Sequence, residues 1–252
     1  MAGEAPDFLV AGHVVQDLVP DEHGVETWRL GGAVSYASLL ARNLGLRTAA
    51  LTSCAADVRL GELLPGIEFH VVTSESTTQF RNVYRPPRRM REQWVPQRAR
   101  VLTADDLPEG WRDSRIVLLG PVAGEIDESL ALAFGEKSIV GIGAQGWLRE
   151  IGPDSRVRPV LPGDWRATPL LEAAQALFLS DEDISLEDAP GALAEWSTHV
   201  DLVAFTRGYG GADVCYRGEW RRFGAFSANP VDLTGAGDTF ATGFLVRYAE
   251  TG

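Results

Sequence analysis

Cysteine is scarce in this sequence: only Cys54 and Cys215 occur among 252 residues, in unlike surroundings. So few argue against a disulfide framework or a cysteine zinc site, and their expected role is core filling. The four histidines, at 13, 23, 70 and 199, show no metal-ligand spacing. No apolar run approaches the ~18 residues needed to cross a bilayer. The short acidic start, Met1 to Asp7, is unlike a signal or transit peptide, so a cytoplasmic location is the expectation. Excess basic charge is also missing. A net charge of −12 argues against nucleic-acid binding, because phosphate backbones require a basic surface. With 45% apolar and 23% charged residues, the chain can bury a core as one large soluble domain without covalent staples.

Several phosphate and nucleophile motifs are absent too. There is no G-x-x-x-x-G-K-[ST] and no G-x-S-x-G. The nearest approach to a dinucleotide fingerprint, Gly235-Ala236-Gly237, lacks the third glycine, and no suitable acid follows. A dinucleotide oxidoreductase is therefore disfavoured.

What the chain does contain is the stretch Asn229-Pro-Val-Asp-Leu-Thr-Gly-Ala-Gly-Asp-Thr-Phe-Ala-Thr-Gly-Phe244. Polar and glycine residues run directly into a helical pattern in which Ala236, Phe240, Phe244 and Tyr248 recur every four residues, predicting one apolar face. Small residues at 235 to 237 leave amide groups uncovered at that helix start, which favours an anion such as phosphate. Asp238 places a carboxylate beside it, an arrangement suited to phosphoryl transfer onto a hydroxyl. The same pattern also fits a plain glycine-rich turn.

Phe8 to Gly12 reads as a buried first strand, with Asp17 just beyond it, either a ligand group or a turn aspartate. Asp21 to Gly24 reads as a hairpin turn. Gly31-Gly32 opens a helix whose face is Ala33, Ala37, Leu40, Ala41 and Leu44, and Gly45 stops it. Strands are expected at 48–52 and 67–72 with a brief helix at 59–64 between them, and an exposed strand at 77–84. Arg85 to Arg91 is a basic, proline-bearing loop, suited to an anionic substrate or to plain solvent. From Arg115 an α/β rhythm sets in, with strands at 116–119, 138–142, 176–179 and 202–206, helices near 127–134 and 188–198, and a hairpin from 212–216 and 219–223. Continuous apolar strands alternating with helices imply a mostly parallel sheet covered on both faces. Its carboxyl edge would gather Asp17, Gly31-Gly32, Gln145, Ser180 to Asp183, Thr206 to Gly211 and Asp232 to Asp238.

Taken together, these motifs resemble the ribokinase-like (PfkB) family of carbohydrate and nucleoside kinases over essentially the whole chain. Asp232-Leu-Thr-Gly-Ala-Gly-Asp-Thr-Phe240 is similar to the family's C-terminal signature, and Gly31-Gly32 with its alanine-rich helix to the N-terminal one. Val10 to Asp17 resembles the opening strand, and Thr206-Arg-Gly208 with Gly211 the T-x-G-x-x-G nucleotide loop. The resemblance implies a ribokinase-like three-layer α/β sandwich, a mostly parallel sheet flanked by helices, with a β lid from residues 13–30 and 76–97. It implies an ATP-dependent kinase acting on a sugar, an inositol-like polyol or a nucleoside, with Mg²⁺ and, in some members, a monovalent cation. Asp238 would be the base, and Gly235, Ala236 and Gly237 the anion hole. Asp17, Gly31, Gly32, Tyr36 and Gln145 would hold the acceptor, and Thr206, Gly208, Gly211 and Thr234 the nucleotide. Asp183 would contact the metal through water. Three departures stand out. Tyr36 occupies the place of an acceptor-binding asparagine, and Ser180-Asp-Glu-Asp183 replaces N-x-x-E. The sequence stops at Gly252, where relatives usually continue, so a truncated chain is expected. Weak likeness of Gly120 to Glu125 and Ala144 to Arg149 to the inositol-kinase-like and nucleoside-kinase-like branches fits a ring-shaped acceptor stacked on Tyr36. A homodimer through the lid is compatible with the family, and a non-catalytic ligand-binding protein is the competing expectation.

Overall fold

The computed structural model describes residues 4–20, 23–85 and 90–252. In chain order these form β1 (Phe8–Ala11), β2 (Val15–Pro20), β3 (Glu26–Gly31), α1 (Ala33–Asn43), β4 (Thr48–Ala55), α2 (Leu60–Leu63), β5 (Glu68–Ser74), β6 (Thr78–Arg85), β7 (Met90–Gln97) and β8 (Ile116–Leu119). There follow α3 (Glu128–Ala131), β9 (Ile139–Gly143), β10 (Arg149–Ile151), β11 (Val157–Pro159), α4 (Thr168–Glu172), β12 (Ala176–Ser180), α5 (Ala189–Trp196), β13 (Leu202–Thr206), β14 (Ala212–Tyr216), β15 (Glu219–Phe223) and α6 (Ala236–Thr251).

Nine strands make the central sheet, in the order β15-β14-β13-β12-β9-β8-β1-β4-β5. The run from β13 to β5 is parallel, and the β14–β15 hairpin adds an antiparallel edge. The strands read as unbroken apolar runs because both faces are covered, yet the period-2 alternation persists beneath. Phe8, Val10, Ile116, Leu118 and Phe178 point to the layer under α1 and α6. Leu9, Val117, Leu119, Leu177 and Val203 point to the opposite layer, which holds Leu130 of α3, Leu170 and Leu171 of α4 and Leu193 and Trp196 of α5.

A second, four-stranded sheet, β3-β2-β6-β7, is built from two of the segments assigned to a lid. Asp17 pairs Arg29 on one side and Phe80 on the other. Val15, Phe80 and Val95 pack beneath it against Val122 and Ala123. The basic loop expected at 85–91 falls largely outside the described residues, as does part of the turn at 21–24.

In α6 the expected row of Phe240, Phe244 and Tyr248 packs against the core but is not the helix's most buried part. Its fully buried positions are Ala241, Thr242 and Leu245, while Phe240, Phe244 and Tyr248 are only partly buried. The aromatic row flanks the contact: Phe178 lies edge-on to Phe240 and Phe244, and Tyr216 to Tyr248. Gly141 of β9 leaves room for Leu245, which is fully buried. The helix expected near 127–134 shrinks to the single turn α3, opened by Asp127, whose side chain accepts from the Ser129 amide. The small β10–β11 hairpin and α4 carry no periodic signal long enough to read, and among the described residues no helix is long and apolar enough to cross a membrane.

Candidate active site

The turn into α1 brings the acceptor-side residues together. Gly31 ends β3 directly opposite Val15 of β2, and the Asp17 carboxylate lies where a Gly31 side chain would project. Gly32 has φ 87° and sits against the carbonyl of His13, so a Cβ at either glycine would displace the β2 strand that carries Asp17. Asn82 of β6 donates to Asp17 Oδ1 at 3.4 Å, and Gln93 of β7 donates to Asn82 at 2.8 Å. One turn into α1, Tyr36 is half-buried. Burial pushes its hydroxyl up, and the negative fields of Asp17, Asp232 and Asp238 push in the same direction. That shared field ties Asp17, Asp232 and Asp238 to one place around Tyr36, although they are far apart in sequence.

Gly235 caps α6 in the left-handed region, with φ 76° and ψ 5°, and the Tyr36 ring packs where its side chain would be. Just ahead, the Asp232 side chain accepts from the Thr234 amide at 2.9 Å and from its hydroxyl at 2.7 Å. Those two bonds hold Asp232 below the usual carboxylate range. Ala236 N–H donates back to Leu233 O at 3.2 Å, so this one of the three expected anion-hole amides is engaged within the turn. Gly237 faces open space. Asp238, in the first turn of α6, is pushed up to about 6, chiefly by loss of water around it and next by the Asp183 carboxylate, with Arg149 opposing. A carboxylate with that value is a workable base near neutral pH.

Along the same sheet edge, Asp183 Oδ2 accepts from the Ser180 amide at 2.9 Å and from its hydroxyl at 2.8 Å. Gln145 donates to Asp183 Oδ1 at 3.2 Å, so these two residues form one polar unit between β9 and β12. Thr206 ends β13 beside Ser180, with its hydroxyl 3.4 Å from the Leu179 carbonyl. The loop that follows closes on itself through Arg207 N–H to Gly211 O at 2.8 Å, with φ 48° at Gly208 and 81° at Gly211. Among the described residues no three His, Cys, Asp or Glu side chains are gathered to hold an ion.

Three contributors went unread in the sequence. Arg149 starts β10, donates to Val122 O at 3.1 Å, lies over the Phe80 ring and is the cation that opposes the rise of Asp238. Its only signal was a lone cation after a strand end. Glu125 is fully buried and accepts from the amides of His13, Val122 and Ala123 at 2.7–3.0 Å. His13, also buried, donates from Nε2 to Arg100 O at 2.9 Å, because a carbonyl can only accept. Its Nδ1 must then accept from Thr78 Oγ1 at 2.7 Å, and Thr78 Oγ1 in turn accepts from Ala99 N–H at 2.9 Å. Burial lowers the His13 pKa and keeps the ring neutral, as that chain of bonds requires. Glu125 and His13 thus fix the β1–β2 connection that leads to Asp17.

With this geometry in view, likeness to known proteins is informative. Residues 170–252 match the pfkB family carbohydrate kinase model. A cytidine kinase of Thermococcus kodakarensis is 28% identical over 273 aligned positions, covering 97% of this chain and 89% of that protein. A fructokinase of Escherichia coli is 43% identical over 53 residues, 21% of this chain and 17% of the fructokinase. A pyrophosphate-dependent kinase in the ribokinase family, solved with sulfate, superposes with a TM-score of 0.81 at 23% identity, over 96% of this chain and 87% of that one. The ribokinase of Arabidopsis thaliana, solved with ribose and ATP, gives 0.72 at 21% identity, over 98% and 87%. The last two establish the fold, and the family match falls on the segment that carries Thr206 to Asp238. The chain accordingly has the ribokinase-like fold, and its residues 170–252 are similar to the pfkB family of carbohydrate kinases.

Proposed function

We propose that this protein transfers the γ-phosphoryl group of ATP to a hydroxyl of a sugar or inositol-like polyol. The observation that carries the reading is the packing of Tyr36 on Gly235, in the joint field of Asp17, Asp232 and Asp238. It sets an acceptor-binding aspartate, an aromatic platform, a helix N-terminus and a partly protonated carboxylate around one space.

In this reading Asp17, supported by Asn82, binds acceptor hydroxyls, and Tyr36 packs on the ring face. Asp238 takes the proton from the attacking hydroxyl. The amides at the start of α6 stabilise the transferring group, whose transition state is loose and is served mainly by positioning and charge. Thr206, Gly208, Gly211 and Thr234 line the donor side. Asp183 would contact Mg²⁺ through water, the ion completing its shell with substrate phosphates and water; when bound it would screen the phosphate charge. Gln145 would hold Asp183 in place. A cytoplasmic location, where ATP is available, goes with this reading.

A second acceptor class, a nucleoside, is favoured by the near full-length likeness to a cytidine kinase. The test is product release over a panel of sugars, inositols and nucleosides with ATP and Mg²⁺. Pyrophosphate is included as donor because a structural neighbour is described as pyrophosphate-dependent. Phosphorylation of one acceptor class, lost about 10²-fold in Asp238→Asn, is the expected outcome. Acceptor binding without turnover from either donor would replace the kinase with a ligand-binding protein, and near-native turnover in Asp238→Asn would remove Asp238 from the base role.

A further inference from the structure

Strand alternation at the end of β13 gives one sheet edge two different faces. Thr206 falls on the α6 side with the candidate active site. Phe205 and Arg207 point to the α5 side, in register with Asp213 of β14 and Arg222 of β15. Between this row and α5 lies a cavity of about 510 Å³. Its apolar wall includes Leu186, Pro190, Leu193 and Phe205, and Trp220 forms part of the opposite side. Arg207, Arg221 and Arg222 supply cations against the single lining carboxylate of Asp213.

Two features separate this cavity from an ordinary surface groove. The Arg207 Nε and Nη2 atoms are buried and lack hydrogen-bond partners, although Nη2 approaches Asp213 Oδ2 to 2.9 Å as an ion pair. Those two atoms are closed off from the cavity by the Asp213 pairing, so Arg207 meets it through the remaining exposed part of its side chain, beside the exposed Arg222 guanidinium. The Asp213 carboxylate is also shared, since Arg222 binds its Oδ1 at 2.8 Å. Two guanidiniums, those of Arg207 and Arg222, therefore share one carboxylate in a protein of net charge −12. A volume of this size lies within the range of small-molecule sites. Arginine forks match phosphate oxygens, and an indole with an aliphatic wall suits a planar ring.

We propose that the α5–β15 cavity is a binding site for an aromatic phosphomonoester, separate from the candidate active site on the other face of the sheet. The phosphate engages Arg207 and Arg222, and the ring lies between Trp220 and the α5 wall. The site does not depend on the kinase reading.

AMP serves as the probe, with adenosine and inorganic phosphate as half-ligands, titrated by calorimetry and by tryptophan fluorescence. Saturable AMP binding is expected, at least tenfold tighter than either half-ligand. Trp220→Phe should abolish most of the fluorescence change. Arg222→Gln should weaken AMP at least tenfold. Ala194→Trp, which fills the cavity from the exposed side of α5, should abolish binding without altering the melting temperature. Thr206→Val, on the opposite face, should leave AMP binding unchanged. Absence of AMP binding, or binding that survives Ala194→Trp and falls in Thr206→Val, would overturn the proposal.

Discussion

Gly235 and Gly237 look equivalent in the sequence, two small residues flanking Ala236 at a helix start, yet alanine should have opposite effects at them. At position 235 the backbone has φ 76°, a left-handed conformation that costs a side-chain-bearing residue about 1–2 kcal/mol. The added methyl would also fall on the Tyr36 ring, inside contact distance of Cγ, Cδ1 and Cδ2. An aromatic ring held between α1 and α6 is not the free end of a flexible chain, so overpacking adds about 1–3 kcal/mol. Gly235→Ala is therefore expected to lose about 2–5 kcal/mol. At position 237 a Cβ meets nothing within 4 Å, and the residue is helical. Gly237→Ala should instead stabilise by about 0.5–1 kcal/mol, the usual difference between the two residues in a helix. Urea unfolding of both variants and of the Gly235→Ala/Tyr36→Ala pair measures the parts separately. The double mutant should recover the packing share and retain the left-handed share, giving a coupling of about 1–3 kcal/mol. Equal effects at 235 and 237, or a coupling near zero, would refute the claim that the Tyr36 ring seats the start of α6.

Asp238 should tie activity and stability to pH in opposite senses. Its folded value of about 6 lies above the ordinary 3.8, so the folded state binds a proton more tightly than the unfolded chain does. The resulting destabilisation develops as pH rises from about 4 to 6 and is full above that window. Asp238→Asn should thus melt higher than wild type at pH 7 and indistinguishably below pH 4, while its turnover falls; wild-type kcat should rise through pH 6. Glu125→Ala strands the three amides that its buried carboxylate now accepts from, a loss of more than about 3 kcal/mol that thermal unfolding would record. Gly141→Ala would place a Cβ 2.6 Å from Leu245 Cδ1 and 3.0 Å from the Phe178 ring. A cost of about 1–3 kcal/mol is expected, and Leu245→Ala in the same chain should relieve the clash.

How far the molecule was legible varied with the kind of signal. The strands 116–119 and 202–206 and the hairpin strands 212–216 and 219–223 coincide with their sequence assignments, because short apolar runs between glycine, proline and charged residues leave little freedom. The aromatic row of α6 packs against the core as expected, but its most buried positions are not legible, since hydrophobicity ranks Phe240 and Phe244 above Ala241. Burial ranks them the other way, and the close seat of α6 on β9 rests on Gly141 meeting Leu245, a hundred residues apart. Glycines assigned to ligand binding in the sequence have further duties in space: Gly31, on the expected acceptor side, receives Asp17, and Gly235, in the expected anion hole, receives Tyr36. Glu125 and Arg149 carried no motif. A buried carboxylate is recognisable only once the three amides around it are placed, and an arginine that opposes the charge of Asp238 only once β10 is seen beside α6.

The placement of Tyr36 has a consequence for catalysis in the proposed reading. Asp17 reaches the site from the lid sheet and Asp238 from the base of α6, so the distance between acceptor and base depends on how α1 and α6 pack. Ala33, Ala37 and Ala41 are buried on α1, and at its contact with α6 a Cβ on Gly243 would lie 3.9 Å from Leu40. In that reading, a movement of the four-stranded sheet would shift Asp17 but leave the α1–α6 pair, and with it the Tyr36–Gly235 contact, in place. A substitution that widens the helix pair should therefore lower kcat more than it raises acceptor KM, since it displaces the base from a hydroxyl that Asp17 still binds. Loosening the lid through Asn82→Ala should do the reverse, weakening the support of Asp17 at 3.4 Å and raising KM with kcat nearly preserved. Ala37→Val and Asn82→Ala, assayed side by side, separate the two contributions; if both moved kcat and KM together, acceptor and base would not be held independently.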